Sequence, residues 1–251
     1  MNKNCFIERL IDSSKLKSSR VILSLDLDDS PRTLKKKAVQ IIDSLGEDIV
    51  GVKINYHLLL PLDLKNIKEI IIKAHEKDLQ VIADIKLNDI SNTNLIASKL
   101  LWKAGFDAII VNPFVGHQDA LKLTIEKAHR DGKGVIFLVY MSHAGARDGY
   151  GLKVISSGSR TNKMYEIFAL RALRWKADGV IVGATKPSII TNVAKILRGK
   201  LPIFCPGIGT QGGSIQKARL AGGSFMIVGR SILNAPDPKK VVEIIRIKTW
   251  S

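Results

Sequence analysis

The stretch Val21-Ile22-Leu23-Ser24-Leu25-Asp26-Leu27-Asp28-Asp29 decides between two architectures that both alternate strands with helices. It begins as a nearly continuous apolar run, the composition of a strand covered on both faces. It ends in acidic residues, where the first strand of a doubly wound dinucleotide-binding sheet would turn through Gly-x-Gly-x-x-Gly. Working outward, seven more runs of the same kind follow. Candidate strands are Val21–Asp26, Ile49–Ile54, Gln80–Lys86, Ala108–Asn112, Val135–Met141, Gly179–Gly183, Pro202–Cys205 and Phe225–Val228. Between and after them lie amphipathic stretches that predict helices: Thr33–Leu45, Lys65–Lys77, Thr93–Lys103, Gln118–Arg130, Lys163–Lys176, Ser188–Leu197, Gly213–Ala221 and Asp237–Ile247. Eight such units within 251 residues fit an α/β chain folded as a single (β/α)8 barrel spanning 1–251. The most irregular stretch, Gly145–Asn162, follows the fifth strand and is expected to be a long loop on the catalytic face.

Composition narrows the classes. The formal charge of +16 points to an anionic partner, either nucleic acid or a small phosphorylated acid. The basic residues are spread along the chain, and the densest run, Lys35-Lys36-Lys37, falls on a predicted helix as a solvated face. An aromatic fraction of 6% is low for a stacking platform on single strands. No apolar run approaches the roughly 18 residues that span a bilayer, and Met1–Leu10 lacks the apolar core of a signal peptide. Cys5 and Cys205 form no Cys-x-x-Cys pair, which fits free thiols in the cytoplasm. His57, His75, His117, His129 and His143 show no metal-ligand spacing, and no Gly-x-Ser-x-Gly elbow is present.

The chemistry concentrates on the third strand, Val81-Ile82-Ala83-Asp84-Ile85-Lys86-Leu87-Asn88-Asp89. Strand side chains alternate, so Asp84 and Lys86 share a face, expected to be the barrel interior near its C-terminal mouth. Asp89 lies in the following loop, and Lys53 ends the preceding strand, so two lysines and two aspartates can meet above the barrel. Such charges are costly unless paired; a structural ion-pair network is one reading. The other is catalytic: an ammonium held between carboxylates can stabilise a forming carbanion and then protonate it. A second constellation lies in Pro206–Gly213, four glycines between strand and helix, with Gly229-Arg230 at the end of the eighth strand. Glycines let backbone N–H groups close around an anion, and these two loops are the usual barrel phosphate site.

Asp84-Ile85-Lys86-Leu87-Asn88-Asp89-Ile90-Ser91-Asn92-Thr93 resembles the Asp-x-Lys-x-x-Asp-Ile-x-Asn-Thr signature of the orotidine 5'-monophosphate decarboxylases. Lys53, Met141-Ser142-His143-Ala144-Gly145, Pro206–Gly213 and Val228-Gly229-Arg230-Ser231-Ile232 match that family in order, over roughly residues 20 to 240. The resemblance implies cofactor-independent decarboxylation of orotidine 5'-monophosphate, with Asp84 beside the substrate carboxylate, Lys86 as proton donor, and Lys53 and Asp89 holding it. It also implies a homodimer in which Asp89 and Thr93 reach the partner's site. Asp26 and Thr93 are expected at the ribose, Ser142 at the pyrimidine edge, and Pro206, Gly207, Gly209, Gln211, Gly229 and Arg230 at the phosphate end. No phosphoribosyltransferase segment is evident, so only the final step is expected. Ser91 and Ala144 stand where the family commonly has proline, which bears on loop shape and leaves the charged groups intact. Two other readings stay open. One is a Mg²⁺-dependent sugar-phosphate decarboxylase or hexulose-phosphate synthase on the same barrel, whose pattern has glutamate where Lys53 stands. The other is a basic, non-catalytic barrel that binds RNA.

Overall fold

The computed structural model describes residues 5–156 and 160–250. Eight parallel strands close into a barrel: β1 (Val21–Ser24), β2 (Gly51–Ile54), β3 (Gln80–Leu87), β4 (Ala108–Val111), β5 (Gly134–Tyr140), β6 (Gly179–Val182), β7 (Ile203–Pro206) and β8 (Phe225–Val228). Each pairs with its sequence neighbours, and β8 returns to β1 through Val21↔Met226, Ile22↔Ile227 and Leu23↔Val228. All eight strands lie where the apolar runs predict them, within a residue or two at their ends.

Two apolar layers hold the barrel. Ile22, Ile82, Ala108, Ile110, Ile136, Leu138, Phe225 and Ile227 point inward, while their neighbours Leu23, Val81, Ile109, Val135, Phe137 and Met226 pack outward against the helices. This is the two-residue period of a strand written as two cores. Going up β1 and β3, the inward series changes character: Ile22 gives way to Ser24 and Ile82 to Asp84. The lower barrel is thereby core and the upper barrel a cavity.

A helix not expected from the sequence, Phe6–Lys17, closes the lower end. Phe6 and Leu10, one helical turn apart and fully buried, join the inward cluster. Phe6 lies where any side chain on Gly134 would have to stand. The stretch read as a long loop after β5 is a correction. It contains the helical turns Ala144–Ala146 and Arg147–Tyr150, then a two-stranded antiparallel hairpin, Lys153–Ser156 against Arg160–Lys163. Residues 157–159 of that stretch lie outside the described residues. Tyr150 anchors the segment by packing against Tyr140 and Phe168, at ring-centroid distances of 5.7 and 6.1 Å. The helix expected over Gln118–Arg130 is regular only over Lys122–Arg130, because Asp119 takes a left-handed conformation (φ 54°). Among the described residues no helix is long and apolar enough to cross a membrane.

Candidate functional site

Asp84, at the last buried position of β3, is the hub of the upper barrel. Lys53, buried on β2, donates to its Oδ2 at 2.6 Å, and Lys86 donates to its Oδ1 at 2.6 Å. Strand alternation alone does not bring Lys86 there. Its backbone is left-handed (φ 47°), and the β3–β4 register shifts between Ala83 and Leu87. A non-glycine residue in that region costs on the order of 1–3 kcal/mol and persists where surrounding structure fixes it. Here the bulge re-aims the ammonium onto Asp84. Burial pushes the Asp84 carboxyl up, but the charges of Lys53 and Lys86 outweigh it and hold the group below its usual range. Asp84 is therefore an anion near neutral pH, gripped by two cations.

Asp26, just past β1, extends the charge chain: its Oδ1 is 3.9 Å from the Lys53 ammonium. The same oxygen accepts from Ser24 Oγ and Asn55 Nδ2, each at 2.7 Å. These residues form one side of a cavity of about 390 Å³, a volume suited to a small organic ligand. The floor is apolar, from Ile110, Leu138, Ile181 and Ile227. The rest of the lining comes from the ends of β5, β7 and β8: Met141, Ser142, Pro206, Gly207, Ile208, Thr210, Gln211, Gly229 and Arg230.

The Pro206–Gly213 loop is built on close backbone approach. Gly207 (φ 91°) has no room for a side chain: a Cβ would lie 2.8 Å from Gln211 Oε1 and 2.9 Å from Ser142 Cβ. The loop is closed by Gly213 N–H donating to Gly207 O (3.0 Å) and Gly209 N–H to Gly213 O (2.9 Å). Ser231 ties it to the β8 loop, its Oγ accepting from Thr210 N–H at 3.0 Å. Arg230 is exposed at the rim. A cavity with a paired-charge wall, an apolar floor and a glycine loop beside a guanidinium can take a flat polar ring, a hydroxylated linker and an anion.

Of the residues singled out from sequence, Lys53, Asp84, Lys86, Asp26, Ser142, Pro206, Gly207, Gln211, Gly229 and Arg230 line this one cavity. Gly209 shapes the loop without lining it, its left-handed backbone (φ 72°) packed on Ser231. Asp89 and Thr93 do not join the cavity of their own chain. Three of the four charges expected to meet, Lys53, Asp84 and Lys86, do so within one chain; Asp89 does not join them there, and Asp26 stands beside Lys53 instead. The Asp89 carboxylate accepts from Ile90 N–H at 2.7 Å and is exposed, and Thr93 is exposed on the helix Ser91–Ala104. Asp89 is firmly held, since buried Asn94 donates from Nδ2 to its carbonyl. Sequence reasoning missed Ser24, Asn55, His57 and Thr210. The first two lie two positions along the chain from a charge already singled out, but neither breaks the pattern around it.

A family model described as "Orotidine 5'-phosphate decarboxylase / HUMPS family" matches residues 19–245. The chain is 35% identical to the orotidine 5'-phosphate decarboxylase of Methanosarcina mazei over 220 residues, 88% of this chain and 90% of that one. It is 34% identical to the enzyme of that name from Pyrococcus abyssi over 225 residues, 90% and 96% of the two chains. Among solved structures, it is similar to orotidine 5'-monophosphate decarboxylase from Methanocaldococcus jannaschii complexed with the inhibitor BMP. The TM-score is 0.78 at 28% identity, covering 92% of this chain and 98% of that one.

Proposed function

The chain belongs to the orotidine 5'-phosphate decarboxylase / HUMPS family, and from this we infer that it is a carboxy-lyase converting orotidine 5'-monophosphate to uridine 5'-monophosphate and CO2. The observation that carries this choice within the family is Lys53. Its ammonium sits 2.6 Å from Asp84 Oδ2, on the carboxylate that a Mg²⁺-dependent sister enzyme would need as an oxygen ligand.

The residue roles follow from the cavity. The substrate carboxylate lies beside Asp84. The bond from carbon 6 of the pyrimidine to the carboxylate breaks, CO2 departs, and the electron pair stays on carbon 6. The Lys86 ammonium stabilises that pair and transfers a proton to it, then recovers a proton from solvent. Lys53 keeps Asp84 ionised and in place. Magnitudes rank these contributions. Two carboxylates at about 4 Å repel by roughly 4 kcal/mol at an effective dielectric of 20. Enzymes at the upper end lower barriers by about 20 kcal/mol or more. Repulsion from Asp84 is thus a minor part, and stabilisation of the carbanion by Lys86 is the larger one. Ser142 meets the pyrimidine edge, Asp26 the ribose, and Gln211, Gly229 and Arg230, with the Pro206–Gly213 loop, the phosphate. Phosphate binding acts at a distance from the reacting carbon and supplies energy to hold the ring against the charged wall.

The active unit is a homodimer in this reading, with Asp89 and Thr93 completing the partner's site. Three exposed apolar side chains beside them support it: Ile90 at 66%, Ile96 at 50% and Leu100 at 50% exposure. A reducing, cytoplasmic setting is supported by two unpaired cysteines, Cys5 exposed and Cys205 buried. The test is CO2 release from orotidine 5'-monophosphate with and without exhaustive EDTA treatment. Turnover is expected to be the same in both. No release, or a loss restored by Mg²⁺, would move the chain to the metal-dependent branch.

A further inference from the structure

Asp26 is held in an unusual way for a carboxylate beside a lysine. Its Oδ1 accepts 2.7 Å hydrogen bonds from Ser24 Oγ and Asn55 Nδ2, yet stands 3.9 Å from the Lys53 ammonium. Its Oδ2 faces the bare backbone of Gly229, where a Cβ would lie 2.7 Å away. The orientation of the Asn55 amide is set independently. Its Oδ1 accepts from His57 N–H at 2.9 Å, capping the turn Tyr56–Leu59, so its Nδ2 has to face Asp26. Without these two neutral donors, Oδ1 would turn to the nearest cation, Lys53. That movement, of about an ångström to reach ordinary ion-pair distance, would draw Oδ2 away from Gly229. It would also divide Lys53 between two carboxylates.

We propose that Asn55 and Ser24 are positioning residues that hold Asp26 off Lys53, keeping Oδ2 available to a ligand hydroxyl and reserving Lys53 for Asp84. Neither touches the reacting atoms; both act through Asp26. The inference rests on the functional reading above, with Asp26 at the ribose.

A double-mutant cycle tests it. Asn55→Ser keeps a side-chain oxygen able to cap the Tyr56–Leu59 turn but is too short to reach Asp26. It is expected to lower kcat/KM by roughly tenfold or more, the range for a hydrogen bond to a charged group, with most of the change in KM. In an Asp26→Ala background the same substitution is expected to change kcat/KM by less than about twofold, because its target is gone. Ser24→Ala, a smaller change in a strand, should behave likewise in both backgrounds. A loss of equal size with and without Asp26 would mean the residues serve only local folding, and no loss in the single variants would equally overturn the proposal. Wild-type turnover in the same assay keeps the two readings apart. If the wild type releases no CO2, the functional reading fails as well; if it does and the coupling is absent, only this inference fails.

Discussion

Replacing Lys53 with methionine removes one of the two cations that neutralise Asp84 while keeping the length of the side chain. Both partners are nearly out of solvent, with side-chain exposures of 7% for Lys53 and 11% for Asp84, and their atoms meet at 2.6 Å. Removing one partner of a buried pair typically costs about 3–5 kcal/mol, because a buried charge is left uncompensated. Lys86 still reaches Asp84 at 2.6 Å, so the low end, about 3 kcal/mol, is the expected loss. For a chain of this size each kcal/mol moves Tm by roughly 2–4 °C, giving a fall of about 6–12 °C at pH 7. The sign of the pH dependence follows from Asp84. Its folded pKa lies below the ordinary carboxylate value, where Lys53 is one of two cations opposing the effect of burial. Its contribution is therefore present above the unfolded pKa and lost as pH falls through the folded one. The gap in Tm between wild type and Lys53→Met should narrow as pH is taken from 7 to below 4, read by thermal denaturation followed by circular dichroism. An unchanged Tm at neutral pH, or a gap that does not close in acid, would refute the account of Asp84 as a carboxylate dependent on Lys53.

Four further outcomes are expected. Lys86→Ala should abolish single-turnover decarboxylation while uridine monophosphate still binds; near-normal turnover would remove Lys86 from the chemistry. Arg230→Ala should lower the ratio of kcat/KM for nucleotide over nucleoside by at least about tenfold, since charge-assisted bonds to phosphate are worth roughly 1.5–3 kcal/mol; equal losses for both would make Arg230 structural. Mixing inactive Lys86→Ala chains with inactive Asp89→Ala chains should restore activity, up to about a quarter of wild type for random exchange, since one site of each mixed dimer would carry neither defect; no recovery in verified mixed dimers would return Asp89 to its own chain's site. At the lower end of the barrel, the His129 Nε2 hydrogen bond to the Asp178 carboxylate at 3.2 Å raises the His129 pKa, so this pair stabilises below the ordinary histidine value and the gain is lost as pH rises through the folded one. The Tm of His129→Gln should therefore approach that of wild type in alkaline buffer, and a constant difference from pH 6 to 9 would contradict it.

What could be read from sequence is what interrupts a pattern. Asp84 and Lys86 stand out because a strand buried below them turns charged, and the glycines of Pro206–Gly213 stand out because a helix should not begin with four of them. The residues that escaped do not interrupt anything. Ser24 follows three apolar residues as an ordinary small strand residue, and Asn55 is an ordinary helix cap until its amide Nδ2 is seen donating to Asp26. The left-handed backbone at Lys86 is likewise invisible, since lysine does not advertise positive φ as glycine does. The helix Phe6–Lys17 carries an apolar pair at four-residue spacing, Phe6 and Leu10, that is legible only once its role as a plug is known. The hairpin after β5 is not legible in the sequence, because one of its strands, Arg160–Lys163, is wholly polar and gives no alternation.

The barrel holds two buried carboxylates whose surroundings look alike in composition and differ in what they leave open. At the lower end Asp107 receives Val81 N–H at 2.9 Å, His75 at 2.9 Å and Arg9 at 3.2 Å, with Lys133 at 3.5 Å. Burial pushes its pKa up, and the His75 hydrogen bond and the charge of Lys133, with the other donors, bring it below the usual range. At the upper end Asp84 reaches the same electrostatic state with two lysines and no backbone donor among its named hydrogen bonds. The lower carboxylate is surrounded by donors from four segments of the chain and binds them together. The upper one keeps a face toward the cavity, and one of its cations, Lys86, is 35% exposed on the ligand side. A shifted pKa alone would have marked both as reactive. Bonding separates them: Asp84 is held by two lysines, both lining the cavity, whereas Asp107 is bonded to a backbone amide and three side chains that tie it to the segments around it.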